Sequence, residues 1–204
     1  MAMTRLEGEP IERLLPELSA REAQQAMRQL GRTVAALHAV DPTGVTCAVS
    51  DFDALLAHQA RDILAIEGRR GCPEPWLSQL DRFVASTQRG ASRGVLLHTE
   101  IGPGHSLLAS AGSLGIIDWA ETLVGDAEYD LAAVAFFIAR GDGELLGAFL
   151  DGYGWSGPVG EILARSLLRY LLLHRYAPFA WLIEQRPPTA QTLFELASAW
   201  MGSV

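Results

Sequence analysis

Residues 95–132 read VLLHTEIGPGHSLLASAGSLGIIDWAETLVGDAEYDLA, and this stretch organises the rest of the chain. Val95 to His98 is a short apolar run of strand length. Ser106–Ala109 and Leu114–Asp118 are two more, joined by Ser110-Ala111-Gly112-Ser113, a hairpin signal. After Gly125-Asp126 the helical period returns. Tyr129, Leu131, Ala132, Val134 and Phe136 lead to Arg140, and Gly-Asp-Gly at 141–143 ends that helix.

Upstream, Thr4 to Pro10 reads as a loop or short extended piece. A helix is expected from about Ala20 to Val40, opened by a Ser19/Glu22 capping box and carried by Met27, Leu30, Val34 and Leu37. Phe52 to Ile66 is a second, with Ser50 or Asp51 as N-cap and Gly68 beyond its end; Trp76, Leu77, Leu80, Phe83 and Val84 mark a third. Arg89 to Gly94 closes this section as a loop. Downstream, helices are expected near Glu144–Tyr153, from Pro158 to about Tyr176, and over Thr189–Met201, with Pro187-Pro188 between the last two. The expected fold is mainly α with a small β-hairpin unit (α+β), in one domain over 1–204. Its parts are a helical section 1–94, the loop-bearing section 95–130 and C-terminal helices 131–204.

At 204 residues, 49% hydrophobic and 20% charged, the chain can bury a core and is not disordered. A net charge of −8 argues against nucleic acid or an anionic membrane as partner. The stretch Ile162–Ile183 is broken by Arg165, Arg169, His174 and Arg175 and is not a membrane span. Cys47 and Cys72 lack zinc spacing, and a reducing cytoplasm is the plain expectation. All sixteen basic residues are arginine, and asparagine is absent too. A mechanism that needs a lysine ammonium or an asparagine amide is excluded for this chain acting alone.

The central stretch resembles the aminoglycoside phosphotransferase and choline kinase group, whose approximate pattern is H-G-D-x-x-P-x-N-x-L, a hairpin, I-D-W or I-D-F, then G-D-P-x-Y-D-L-A. This chain supplies His98-Thr99-Glu100, Pro103, His105, Leu107, then Ile117-Asp118-Trp119, then Gly125-Asp126 and Tyr129-Asp130-Leu131-Ala132. Leu30-Gly31 and Leu37-His38 look like that group's L-G…L-A-x-L-H helix, and Met3 to Gly8 resembles the segment after the hinge between its two lobes. The resemblance implies the C-terminal lobe of a kinase-like fold, with the ATP-binding N-lobe outside this chain.

It also implies roles. A carboxylate must accept or orient the acceptor hydroxyl, and an amide and a second carboxylate must hold magnesium against the phosphates. By position these are Glu100, His105 and Asp118, and only Asp118 keeps the family's residue. Glu100 is one methylene longer than aspartate, a displacement worth on the order of a hundredfold in rate. The imidazole of His105 is a poor magnesium ligand, although His105 with Asp118 could serve a transition metal. The resemblance makes His98, Asp126 and Asp130 supports of the loop rather than catalysts.

Three functions are compatible with these residues. In the first, the cleft is repurposed for small-molecule binding or ATP-independent acid–base catalysis, with Glu100 as base and His105 and Asp118 as acid or orienting partners. In the second, the chain is one lobe of an aminoglycoside-type phosphotransferase, completed by an N-lobe in trans or cut from a longer chain. Mg-ATP enters only there; the chain alone requires no cofactor. In the third it is a non-catalytic pseudokinase interaction module, with a second copy of the chain, in a homodimer, as one partner. Trp155, Trp181 and Trp200, with Tyr170, Tyr176 and Phe179, read as packing, and His58 and His174 as surface or satisfied core residues.

Overall fold

The computed structural model describes residues 6–45, 51–87, 94–110, 112–176, 178–202 and 204. The expected loop at 89–93, the alternative cap Ser50, and Cys47 lie outside them. The chain enters through a two-residue strand β1 (Glu9–Pro10), a single helical turn α1 (Ile11–Leu14) and a 3-10 turn over Leu15–Glu17.

Helix α2 (Ala20–His38) starts with the expected capping box: Ser19 Oγ accepts the Glu22 N–H, and the Glu22 carboxylate accepts the Ser19 N–H. Its buried stripe contains Met27, Leu30, Val34 and Leu37. This face packs on α7 (Gly143–Tyr153), and the Leu30-Gly31 pair takes its meaning from that contact. A Cβ at Gly31 would overlap the Phe149 carbonyl oxygen, and one at Gly152 would overlap that of Arg28. Only glycine lets the two backbones approach this closely.

Helix α3 (Phe52–Arg69) is capped by Asp51, which accepts the Ala54 N–H at 2.8 Å, and it runs through Gly68 instead of stopping before it. Its last turn is held by tertiary contact. Buried Glu67 accepts the Ala180 N–H at 2.9 Å and pairs with Arg70. The expected third helix is two pieces, α4 (Glu74–Leu77) and α5 (Leu80–Ser86). Between them Gln79 binds the Pro75 carbonyl through its amide nitrogen and the Leu193 N–H through its oxygen, so side-chain bonds supplement the backbone at the break.

The expected hairpin forms and gains a third strand, and a second small sheet stands beside it in the sequence. Strands β2 (Val95–Leu97), β3 (Ser106–Leu108), β4 (Leu114–Ile116) and β5 (Leu123–Gly125) pair as a β1-β3-β4 sheet and a β2-β5 sheet, both antiparallel. β1 and β5 are too short, and one holds proline and the other glycine, to show an alternation in sequence.

Helix α6 (Glu128–Ala133) continues as a π-helical segment, Val134–Ala139, that ends on left-handed Arg140. Helices α8 (Gly160–Leu172), α9 (Phe179–Gln185) and α10 (Leu193–Met201) complete the chain. α8 ends short of Tyr176, α9 was not expected, and α10 begins after Thr189, capped by Thr192 and Glu195. Trp200, Tyr170 and Phe179 are buried as expected of packing residues, but Trp181 and Tyr176 are about half exposed. No helix among the described residues is long and apolar enough to cross a membrane.

One buried acid lies under α8. Glu128 accepts the Ser166 hydroxyl at 3.1 Å, and burial, with Asp126 adding, raises its pKa from 4.5. Its ionised form is disfavoured in the fold, so this group lowers stability as pH rises from 4.5 through the raised folded value. Glu128→Gln keeps the acceptor for Ser166 and is expected to raise stability at pH 7 by about 1 kcal/mol, a gain that shrinks near pH 4. Urea denaturation at both pH values reads this, and a loss at pH 7 would contradict it.

Candidate functional site

The loop from β2 to β3 turns on Asp130, which is fully buried at the start of α6. Its Oδ2 accepts the His98 N–H at 2.9 Å and its Oδ1 accepts the Thr99 N–H at 2.7 Å. The His38 Nε2 sits 3.0 Å from the same carboxylate, and the His38 Nδ1 is 2.8 Å from the Tyr153 hydroxyl. Burial holds the Tyr153 phenol up at about 12, so it stays protonated and hydrogen-bonds His38, whose Nε2–H donates to the Asp130 carboxylate. A chain of three side chains from α7, α2 and α6 thus ends on two loop amides. Asp126 is also buried and accepts the Tyr170 hydroxyl at 2.5 Å.

Two histidines brace the loop as neutral rings. The His98 Nε2–H donates to the Ile117 carbonyl (2.9 Å) and its Nδ1 accepts the Glu100 N–H (3.2 Å). The His174 Nε2–H donates to the Thr99 carbonyl (2.7 Å) and its Nδ1 accepts the Tyr176 N–H (3.2 Å). Each carbonyl can only accept and each amide only donate, which fixes the tautomers. Burial lowers both pKa values, that of His174 to about 4. His174 also stacks on Tyr129 at 4.6 Å between centroids. His58, by contrast, is exposed and pairs with Asp62 on α3.

These bonds fold residue 99 tightly. Thr99 has φ +74° and Asp118 has φ +68°. Aspartate tolerates the left-handed region, but a β-branched threonine is there only because its surroundings hold it. Both strained residues flank the loops that carry the candidate groups. The Ile117 N–H donates to the His105 carbonyl at 3.0 Å, which sets Asp118 beside the turn that bears His105.

His105 donates its Nδ1–H to the Glu100 carbonyl at 2.7 Å, leaving Nε2 as an acceptor. Glu100 and His105 line one cavity of about 160 Å³, with Thr99, Pro103, Phe137, His174 and Tyr176 among its other walls. Asp118 does not line it. Phe137 reaches it from the π-helical segment, and Tyr176 is tied to Glu121, which also pairs with Arg175. A larger concavity of about 820 Å³ lies between β1, α2 and the β3–β4 turn, away from all three candidate residues. Of the three candidate residues, Glu100 and His105 line the smaller cavity and none lines the larger.

Among the described residues no group of three or more His, Cys, Asp or Glu side chains converges to hold a metal ion. An imidazole also stands where the resemblance calls for an amide oxygen. This donor set does not fit magnesium, which wants oxygens in octahedral array. Cys72 is no nucleophile, its thiol pushed up to about 11 by burial. The residues that sequence reading passed over, Tyr153, Glu121 and Arg175, carry no local motif, and His174 looked like any lone helical histidine.

A structural likeness connects this arrangement to known enzymes. An aminoglycoside 3'-phosphotransferase of type VIII matches with TM-score 0.60 and 24% identity over 83% of this chain and 65% of its own. A type I macrolide 2'-phosphotransferase matches with TM-score 0.59 and 20% identity over 92% of this chain and 62% of its own. An aminoglycoside phosphotransferase from Streptomyces rimosus gives TM-score 0.59 and 24% identity over 82% and 67%. The chain therefore spans about two thirds of the length of these relatives. The likeness establishes the mainly helical, kinase-like fold. A model of the phosphotransferase enzyme family matches residues 1–164, which contain α2, the Asp130-braced loop and both sheets, and on that match the chain belongs to the phosphotransferase enzyme family.

Proposed function

We propose that the chain, acting as a single domain over 1–204, binds a small hydroxyl-bearing amine at the Glu100–His105 cavity and activates its hydroxyl by acid–base chemistry. The observation that carries this is the hydrogen-bond ledger of the cavity wall. Both ring nitrogens of His174 are spent on backbone, and the Thr99 hydroxyl donates to the Glu121 carbonyl. The Tyr176 hydroxyl is under the influence of the Glu121 carboxylate, which raises its pKa after burial. Among the lining side chains, Glu100 and His105 keep hydrogen-bonding capacity: the Glu100 carboxylate accepts, and so does the Nε2 of the neutral His105 ring. A wall that only accepts selects a ligand that donates, and the charge on Glu100 favours a cation. The aromatic faces of Phe137 and Tyr176 suit the same ligand.

In this reading Glu100 accepts the proton of the bound hydroxyl, and His105 orients a second donor of the ligand. Asp118, one turn away, is an orienting partner outside the cavity. No step calls on magnesium or a nucleotide. The cavity volume suits a small molecule or a single ring of a larger one, such as one ring of an amino sugar.

A second reading is favoured by Asp118, the one candidate residue that matches the family's residue in the resemblance. There the chain is the acceptor lobe of a phosphotransferase whose ATP-binding lobe is supplied by other sequence.

Calorimetric titration separates them. With 2-aminoethanol and glucosamine as probes, Glu100→Gln is expected to weaken binding about tenfold and His105→Ala by less, and ATP with or without magnesium is expected not to bind. Affinities unchanged in both variants would refute the first reading. Magnesium-dependent ATP binding would move the weight to the second.

A further inference from the structure

The turn that presents His105 is held from outside the loop. The His105 N–H returns to the Gly102 carbonyl at 3.2 Å, with Pro103 second and Gly104 third in the turn. Gly104 has φ +84°. Proline at the second position and a left-handed glycine at the third are the signature of a type II turn. Types I and II differ in which way the central peptide faces, here the peptide between Pro103 and Gly104. Its N–H is taken by the Glu12 Oε1 at 2.8 Å, from α1 and 92 residues distant in sequence.

The second Glu12 oxygen, Oε2, is buried with no hydrogen-bond partner, and so is the hydroxyl of Ser106, the residue after His105. Unspent polar atoms at a buried site cost folding energy. Stability alone therefore does not account for a carboxylate at position 12.

We propose that Glu12 is a positioning residue for His105. By holding the Gly104 N–H it selects the type II orientation of the Pro103–Gly104 peptide. That orientation keeps the His105 Nδ1–H on the Glu100 carbonyl and turns Nε2 into the cavity. With the peptide flipped, His105 loses its fixed tautomer and the cavity loses one of its two acceptors. The functional consequence rests on the reading of the cavity given above; the geometric claim does not.

The test is nitrogen-15 NMR of the His105 ring, with amide exchange at Gly104, in wild type, Glu12→Gln and Glu12→Ala, all without ligand. Wild type and Glu12→Gln, which keeps an acceptor oxygen, are expected to show a single Nδ1–H tautomer and a protected Gly104 amide. Glu12→Ala is expected to show mixed tautomers and Gly104 exchange faster by about tenfold or more, with signals remote from residues 98–106 unmoved. A wild-type tautomer pattern in Glu12→Ala would overturn the proposal. Should Glu12→Ala not fold, an unprotected Gly104 amide in the wild-type protein would overturn it equally. Because no ligand is used, these readouts stand whether or not small amines bind.

Discussion

Asp130→Asn is expected to destabilise the protein by about 3 kcal/mol, the largest effect of any single conservative change considered for the loop. The aspartate accepts from three donors at once, the N–H groups of His98 and Thr99 and the His38 ring. An asparagine has one acceptor oxygen, and its NH₂ group would face a donor that cannot accept in return. At least one buried backbone N–H is left unpaired whichever way the amide is turned. With its oxygen on the side that serves both His98 and His38, which keeps two of the three bonds, the asparagine leaves the Thr99 N–H unpaired and should release Thr99 from its left-handed backbone. For a chain of this size the expected fall in Tm is roughly 6–12 °C. Urea denaturation and calorimetry check this; a Tm within a degree or two of wild type would show that Asp130 does not organise the loop.

The second large effect is acid lability traceable to His174. Its folded pKa is depressed to about 4 from 6.5, first by burial. Below pH 6.5 the unfolded chain takes up a proton that the folded protein refuses until about pH 4, so the unfolded state binds more protons in that window. Stability from this group is complete above pH 6.5 and lost as pH falls toward 4, by up to about 3 kcal/mol. The geometry gives the reason. The ring must donate to Thr99 through Nε2 and accept from Tyr176 through Nδ1, and a second proton on Nδ1 would face the Tyr176 N–H. The lowered pKa of His98 works in the same direction. Unfolding free energies measured from pH 7.5 to 4.5 should fall more steeply in wild type than in His174→Gln, which has no imidazole to titrate. Parallel curves for the two proteins would remove His174 as the cause. NMR titration should find the His174 ring uncharged at pH 5.5.

Both predictions concern groups bound to the Thr99 backbone, and the loop that holds it was partly legible beforehand. The spacing of short apolar runs around Ser110–Ser113 and the return of helical period after Asp126 placed the hairpin and α6. The Ser19–Glu22 pair placed the start of α2 because a capping box is a local bond between neighbours. Elements whose ends depend on distant partners were misplaced. α3 outruns Gly68 because Glu67 is held by Ala180, and α8 stops early where His174 turns to Thr99.

The sequence by itself determined the kinds of side chain available: arginine without lysine, no asparagine, and Glu100 and His105 at positions where the resemblance expects aspartate and an amide. It determined the helix caps at Ser19 and Asp51, since those follow from residues within a few positions of each other. Tertiary structure decided which of those groups share a cavity and which are spent. Glu100 and His105 line one space, Asp118 lies outside it, and Thr99 and His174 are taken by partners up to 75 residues away. Hydrogen-bond capacity is local to a residue, but whether it is free depends on what the fold brings within 3 Å. That is why the residue types could be read in one dimension and the chemistry of the site only in three.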